Sequence, residues 1–551
     1  MYRSTANKID MKRKVYFLIG VLVMWSMLLQ AQDKRPNIVL IMADDMGYAD
    51  IGCYGGEIET PNLDRLAADG LRFRQFYNNA RCCPSRASLM TGLYPHQTGI
   101  GHMTNDPEDA TAFDYGVPSY TGNLNFESVT IAEVLKSAGY QTLMTGKWHL
   151  GYHDRNLWPL QRGFDKYYGI LAGAANYFTP TGPRGLTLMN DRVEPTGDDF
   201  YLTDALTDYA IQFINENQEV GAQPFFLYLA YTSPHWPLNA LDGEVEKYRG
   251  RYKEGWEKLR RERLDRMKQL GVIDEETQLS ADDGADWDAL SDEQQDEMDY
   301  RMALYAAQID RMDQNIGRVI ETLEANGELE NTLIFFLADN GACAEGGLLG
   351  GGKKELLGTK EGYFLTYGQS WANASTTPLR TYKHWVHEGG ISTPLIVHWP
   401  KAMAKRAKGG LTDQYGFLQD IMATAADVAG ATYPTQYNGH AIKPLEGRSM
   451  RRVITGKNKP IHTEPIFWEH EGNAAVRYGN FKLVKAYKPG GQSNWELYDI
   501  SKDRSEMNDL AAAMPEVVAK LSGYYSQWAK EKGVLPWDEV LRIRKDKHDK
   551  R

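Results

Sequence analysis

The chain has 551 residues, enough for one large domain and a smaller one, and its 42% hydrophobic and 25% charged residues are ordinary for a globular protein. A net charge of −11 gives no support for binding nucleic acid or an acidic membrane surface. Four cysteines, Cys53, Cys82, Cys83 and Cys343, are too few for a disulfide scaffold.

Lys12-Arg13-Lys14 precede an apolar run at 15–29, and Ala31 offers a small residue before a polar stretch. This layout predicts a secretory signal, residues 1–31, and so a secreted or periplasmic protein with no membrane contact after cleavage. An uncleaved anchor is the alternative, although the run is short for a membrane span. The continuous apolar run 37–42 reads as a strand buried on both faces, ending in Ala43-Asp44-Asp45. Residues 61–70 read as a helix with Thr60 as a cap and Gly70 at its end.

Pro84 suits a first helical turn, so 85–90 reads as a helix, with Cys82 just before its N-terminus. Unpaired N–H groups, the helix dipole and Arg86 one turn on favour an anion there. The alternative is a cysteine packed in the core.

The same layout recurs. Strand 141–144 leads to Lys147-Trp148-His149, and 225–230 leads to Ser233-Pro234-His235. Strand 333–337 leads to Asp339-Asn340, and 395–397 is a further strand with Lys383 shortly upstream. Met302, Tyr305, Ile309, Met312, Ile316, Val319 and Leu323 give one buried helical stripe. Strands alternating with helices predict an α/β fold, a large mostly parallel or mixed sheet covered by helices on both faces. Ligands then bind beyond the carboxyl ends of the strands. The charged stretch 241–300 reads as a helical insertion, helix-forming over 243–269, at the rim of the site or as a solvated excursion.

A helix at 418–429 follows. After Pro444, short strands at 474–477, 481–485 and 495–498 and a helix at 515–532 predict a smaller α+β domain, 444–551, beside a main domain of 32–443. Residues 542–551 read as a mobile basic tail.

Asp44, Asp45, Asp339 and Asn340 would make an all-oxygen site for Ca²⁺ or Mg²⁺, although acids and amides are also common in turns. Lys147 and His149, two apart on an extended stretch, face one side and could reach one ligand; a surface pair is the alternative. His102 is a candidate for the rim, and His96, His384 and His387 lie near the motifs without a role.

The pattern C-x-P-S-R-x-x-x-x-T-G, from Cys82 to Gly92, resembles the signature of the type I sulfatases, which share the alkaline phosphatase-like fold. Gly146-Lys147-Trp148-His149-Leu150-Gly151 resembles their second signature. The resemblance implies that a formylglycine-generating maturase oxidises Cys82 to formylglycine, with Cys83 the variable second position. It implies a divalent ion, usually calcium, held by Asp44, Asp45, Asp339 and Asn340 and touching modified Cys82. It also implies catalytic roles for Arg86, Lys147, His149, His235 and Lys383. Hydrated formylglycine attacks the sulfur of a sulfate monoester while Arg86, Lys147 and Lys383 steady the sulfuryl oxygens. His235, with Lys383, protonates the leaving alcohol, and His149 takes a proton from the second hydroxyl, which restores the aldehyde. Substrates would be aryl sulfates or sulfated glycans. A phosphomonoester or phosphonate ester hydrolase of the same superfamily is the alternative, and a non-catalytic glycan-binding protein is the third reading.

Overall fold

The computed structural model describes residues 35–104, 113–219 and 223–549; the signal expected at 1–31 lies outside the described residues. Eleven strands form one mixed sheet. They are β1 Asn37–Ala43, β2 Leu71–Tyr77, β3 Gln141–Lys147, β4 Lys166–Ile170, β5 Leu186–Leu188, β6 Asp191–Val193, β7 Phe225–Ala230, β8 Thr332–Ala338, β9 Ser392–His398, β10 Gly410–Thr412 and β11 Gly416–Phe417. Their order is β10-β2-β9-β8-β1-β7-β3-β4-β5-β6, with β11 also on β2. The centre, β8-β1-β7-β3-β4, is parallel. The 395–397 run lies in β9, which is antiparallel to both β8 and β2 and so departs from the mainly parallel layout.

β1 shows why these runs are continuously apolar. Val39, Ile41 and Ala43 enter one core, while Ile38, Leu40 and Met42 enter the other. The Asp292–Ala325 helix covers the first face, and its whole predicted stripe is buried there. Helices Cys82–Thr91, Ile131–Ser137 and Gln419–Ala429 cover the second.

The helix-forming stretch of the insertion is two helices, Asp242–Tyr248 and Gly255–Gln269. Gly250 and Gly255 take φ of 85° and 82° between them. It is not a solvated excursion. Trp256 packs edge-on to Trp287 and Trp371 at 4.8 and 5.3 Å. Buried Arg263 donates to Asp50 and Glu57, both at 2.8 Å. Asp50 also accepts from Tyr305 at 2.7 Å, so the insertion buttresses the loop that follows β1.

After the short hairpin β12 Gln436–Tyr437 and β13 His440–Ala441, strands β14 Ile466–His470, β15 Asn473–Tyr478, β16 Phe481–Lys485 and β17 Glu496–Asp499 form an antiparallel sheet. The Pro515–Lys532 helix packs on it through Val517, Val518 and Leu521. The expectation of a mobile tail fails. Trp537–Asp549 is a helix whose Trp537 and Val540 are buried, and the Arg544 guanidinium lies 4.4 Å over the Tyr115 ring. Those two anchors lie just before the predicted tail, 542–551, whose described residues 542–549 continue the same helix.

Candidate active site

Four parallel strand ends and one helix start converge. β1 delivers Asp44 and Asp45, β8 delivers Asp339 and Asn340, β3 delivers Lys147, and the loop after β7 delivers His235. Cys82 is not before its helix but its first residue: the helix starts three residues ahead of the predicted 85–90, with Arg81 at the cap. Its Sγ lies 3.7 Å from Asp44 Oδ1 and 3.8 Å from Asp45 Oδ1. Cys83 Sγ turns the other way, to His102 O at 3.5 Å and the Thr104 amide at 3.4 Å.

Each carboxylate is split between two tasks. Its Oδ2 accepts from a cation: Lys147 on Asp44 at 2.7 Å, Lys383 on Asp45 at 2.7 Å, and Arg86 Nη2 on Asp339 at 2.8 Å. Its Oδ1 faces inward. Asp45 Oδ1 accepts from Asn340 Nδ2 at 2.7 Å, and Asp339 Oδ1 accepts from the Asp45 amide at 3.2 Å. Asp45 takes φ of 66° to make this turn. All of these side chains are buried.

Burial, with Asp44 nearby, pushes the Asp339 carboxyl up to about 6. Burial also works against ionised Asp45, but Lys383, His235 and Lys147 hold it well below the carboxylate range. Asn340 Oδ1 is buried with no hydrogen-bond partner. Crowded carboxylates and an orphaned amide oxygen are the donor set of a hard cation, so these residues fit a divalent ion. Asp44, Asp45, Cys82 and His235 also offer ligand atoms within 4.8 Å of one another.

The two histidines differ. His149, at φ of 58°, places Nε2 2.9 Å from Thr104 O, so Nε2–H donates there. Its Nδ1 is buried and unpartnered, and burial with Lys147 keeps the ring neutral. His235 Nδ1–H donates to Trp236 O at 2.7 Å, and Nε2 lies 3.4 Å from Asp45 Oδ2. Burial pushes His235 down to about 3 against the pull of Asp45. Lys383 stays charged: burial opposes this, but Asp45 raises it well above the ordinary lysine value.

Gly146 precedes Lys147 at φ of 110°, and a Cβ there would sit 1.8 Å from Ala230 O. Only glycine lets β3 and β7 close at that point. His102 is not at the rim: it is buried on Tyr115 with ring centroids 3.9 Å apart. Sequence reasoning missed Thr104, Tyr228, Trp236 and Glu345. Tyr228 OH lies 3.4 Å from Arg86 Nη1, and Glu345 accepts from Arg81 at 2.8 Å. Trp236 directly follows His235 and Glu345 lies six residues after Asp339, and that proximity is their only signal in the sequence.

Residues 36–431 match the sulfatase family, and 381–530 match N-sulphoglucosamine sulphohydrolase, C-terminal. An uncharacterized sulfatase of Schizosaccharomyces pombe is 35% identical over 540 residues, 92% of this chain and 95% of that protein. An arylsulfatase of Klebsiella aerogenes is 36% identical over 444 residues, 77% of this chain and 90% of that one. The crystal structure of Ps i-CgsB in complex with k-i-k-neocarrahexaose aligns with a TM-score of 0.68 at 27% identity, over 93% of this chain and 98% of that one. The family match spans every strand end that builds this pocket, and the chain therefore belongs to the sulfatase family of sulfuric ester hydrolases.

Proposed function

We propose that this chain hydrolyses sulfate monoesters of aryl alcohols or glycans, with Cys82 converted to formylglycine by a maturase. The observation that carries the reading is Cys82 Sγ, which faces Asp44 Oδ1 and Asp45 Oδ1 at 3.7 and 3.8 Å on a floor ringed by Arg86, Lys147 and Lys383. The modified residue supplies a hydroxyl nucleophile at that spot.

Asp44, Asp45, Asp339 and Asn340 would hold Ca²⁺ or Mg²⁺, which supplies Lewis-acid charge beside the sulfate. Arg86, Lys147 and Lys383, all buried, add fixed positive charge for the sulfuryl oxygens. Neutral His149, with its lone pair at Nδ1, suits the base that takes a proton from the modified residue. His235 and Lys383 act together at the leaving oxygen. The proton-bearing member is Lys383 Nζ, because neutral His235 has its one N–H committed to Trp236 O.

A signal at 1–31, a secreted or periplasmic location, and a division into 32–443 and 444–551 belong to this same reading. Among the described residues, no helix is long and apolar enough to cross a membrane. The test is sulfate release by protein matured with a formylglycine-generating partner, on matched aryl sulfate, phosphate and phosphonate esters. Faster turnover of the sulfate ester supports the reading, and a preference for phosphate or phosphonate overturns it.

A further inference from the structure

A second cluster with metal-binding chemistry lies outside the strand-end carboxylates, and none of its residues has a part in the chemistry above. His470 ends β14, Glu471 opens the turn into β15, and His384 follows Lys383 on the loop before β9. The His384 and His470 rings lie 5.3 Å apart. Glu471 faces both: its Oε2 is 3.8 Å from His384 Nδ1, and its Oε1 is 4.0 Å from His470 Nε2. One ligand atom from each residue falls within 4.8 Å of the other two.

The state of His470 points to a ligand rather than to packing. The ring is fully buried, and among the described residues neither of its nitrogens has a hydrogen-bond partner. A neutral imidazole brings one N–H and one lone pair, and folded chains pair such groups when they bury them. The other two residues hold backbone shapes that side chains avoid, with φ of 88° at His384 and 48° at Glu471. Burial keeps both rings neutral, the form that binds metal. It pushes His384 down to about 4, helped by Arg81, and His470 well below the ordinary histidine value, helped by His384. The neighbouring charges are committed elsewhere: Arg81 donates to Glu345 at 2.8 Å, and Glu469 holds His96 at 2.6 Å.

Two imidazoles and a carboxylate suit Zn²⁺ and its first-row neighbours, whereas Ca²⁺ and Mg²⁺ take oxygen ligands. Bonds of about 2.1 Å set tetrahedral ligand atoms about 3.4 Å apart, so gaps of 3.8 and 4.0 Å close by small side-chain rotations. The His384 and Glu471 side chains are 35% and 22% exposed, which admits an ion and leaves its fourth position to solvent. Binding through His384 Nδ1 moves the ring proton to Nε2 and gives up only a 3.3 Å contact with Asn473 Nδ2.

We infer that His384, His470 and Glu471 bind a transition-metal ion of the Zn²⁺ class, which clasps the β14–β15 turn of the C-terminal sheet to the loop that carries Lys383. This ion is distinct from the one proposed at Asp44, Asp45, Asp339 and Asn340, and the inference does not rest on the sulfatase reading.

The experiment titrates Zn²⁺, and separately Co²⁺, into the chelator-treated full chain carrying Cys82→Ala. Excess Ca²⁺ keeps the strand-end site from taking the probe. This parent should bind one Zn²⁺ with a Kd of about 1 µM or tighter. Its Co²⁺ form should show the intense visible bands of a four- or five-coordinate ion. His384→Asn and Glu471→Gln change two partly exposed side chains conservatively, and each should weaken Zn²⁺ by about tenfold or more. Zn²⁺ should raise the melting temperature of the parent and of neither variant. It should also slow amide hydrogen exchange at 383–385 and 470–473, which reads the clasp itself. No saturable uptake by the parent, unchanged affinity in either variant, the weak Co²⁺ spectrum of a six-coordinate ion, or exchange at those two segments that Zn²⁺ leaves unchanged overturns the inference. The parent's Co²⁺ spectrum and exchange decide it even where a variant fails to fold. No arm reads sulfate release, so the sulfatase reading stands or falls separately.

Discussion

Lys482→Met is the perturbation that best tests how the C-terminal sheet supports the pocket. Lys482 on β16 is fully buried, with Nζ 3.0 Å from Glu388 Oε1 and 2.9 Å from Glu506 Oε1. Glu388 lies five residues after Lys383, and its backbone amide donates to Glu506 Oε2 at 2.7 Å. Methionine keeps the length and apolar stem but strands two buried carboxylates. Glu388 retains Arg504 at 3.3 Å and Tyr77 OH at 3.1 Å, so Glu506 bears the larger loss. Removing one partner of a buried ion pair costs about 3–5 kcal/mol, and that is the expected loss at pH 7. Adding Glu506→Gln should recover about 1–3 kcal/mol by removing one stranded charge. The pH dependence has a definite sign. Burial raises the Glu388 carboxyl, but Lys482 and Arg504 pull it below its ordinary value, so its contribution is present above the unfolded carboxylate pKa and lost on acidification. The deficit of Lys482→Met should therefore shrink as the pH falls below about 4.5. Denaturant midpoints and thermal melts of the three proteins supply the measurement. A single variant within about 1 kcal/mol of wild type, or a double variant no better than the single, would refute the reasoning.

Three further outcomes are expected. Peptide mass spectrometry of matured protein should find sulfur lost and a carbonyl gained at Cys82 alone, and Cys83→Ser should stay active, because Cys83 Sγ faces His102 and Thr104 rather than the carboxylates. Chelator should abolish sulfate release and added Ca²⁺ or Mg²⁺ should restore it; Asn340→Ala should raise the Ca²⁺ needed, and the need should also rise below pH 6, where the raised Asp339 carboxyl holds its proton. Lys383→Met should cost about 10²–10⁴-fold on a sugar sulfate and far less on 4-nitrophenyl sulfate, whose leaving group needs little protonation, whereas His235→Ala should cost both substrates alike; a His235→Ala loss confined to the sugar sulfate would make His235 the proton donor instead.

The parallel centre of the sheet was legible because strands buried on both faces must be continuously apolar, as β1, β7 and β8 are. The polar residues at their ends were legible for the complementary reason: a buried strand has no other place for them. Strand direction was not legible, since β9 has the same apolar run whether it pairs parallel or antiparallel. Neither was the burial of the insertion. Arg263 reads as a solvated charge until Asp50 and Glu57 are brought to it from more than two hundred residues away. The last helix fails in the same way, because two buried apolar residues are outnumbered by charges. Proton positions on His149 and His235 depend on the carbonyls of Thr104 and Trp236, which spacing in the sequence cannot supply.

The division of labour within each carboxylate connects these observations. Asp44, Asp45 and Asp339 each give Oδ2 to one of Lys147, Lys383 and Arg86. Their Oδ1 atoms turn to Cys82, Asn340 and the Asp45 amide. The groups suited to hold a cation are therefore the same groups that aim the positive charges meant for the sulfate. In a buried site, where unscreened charges act strongly on one another, that sharing fixes the geometry of both sets at once. It also explains how an acidic chain can bind an anion. The net charge of −11 lies elsewhere, while at the strand ends three cations and the space for a fourth meet three carboxylates. On the proposed reading, a change at any one of the three aspartates would alter ion binding and sulfate binding together, so the two could not be tuned independently through those positions.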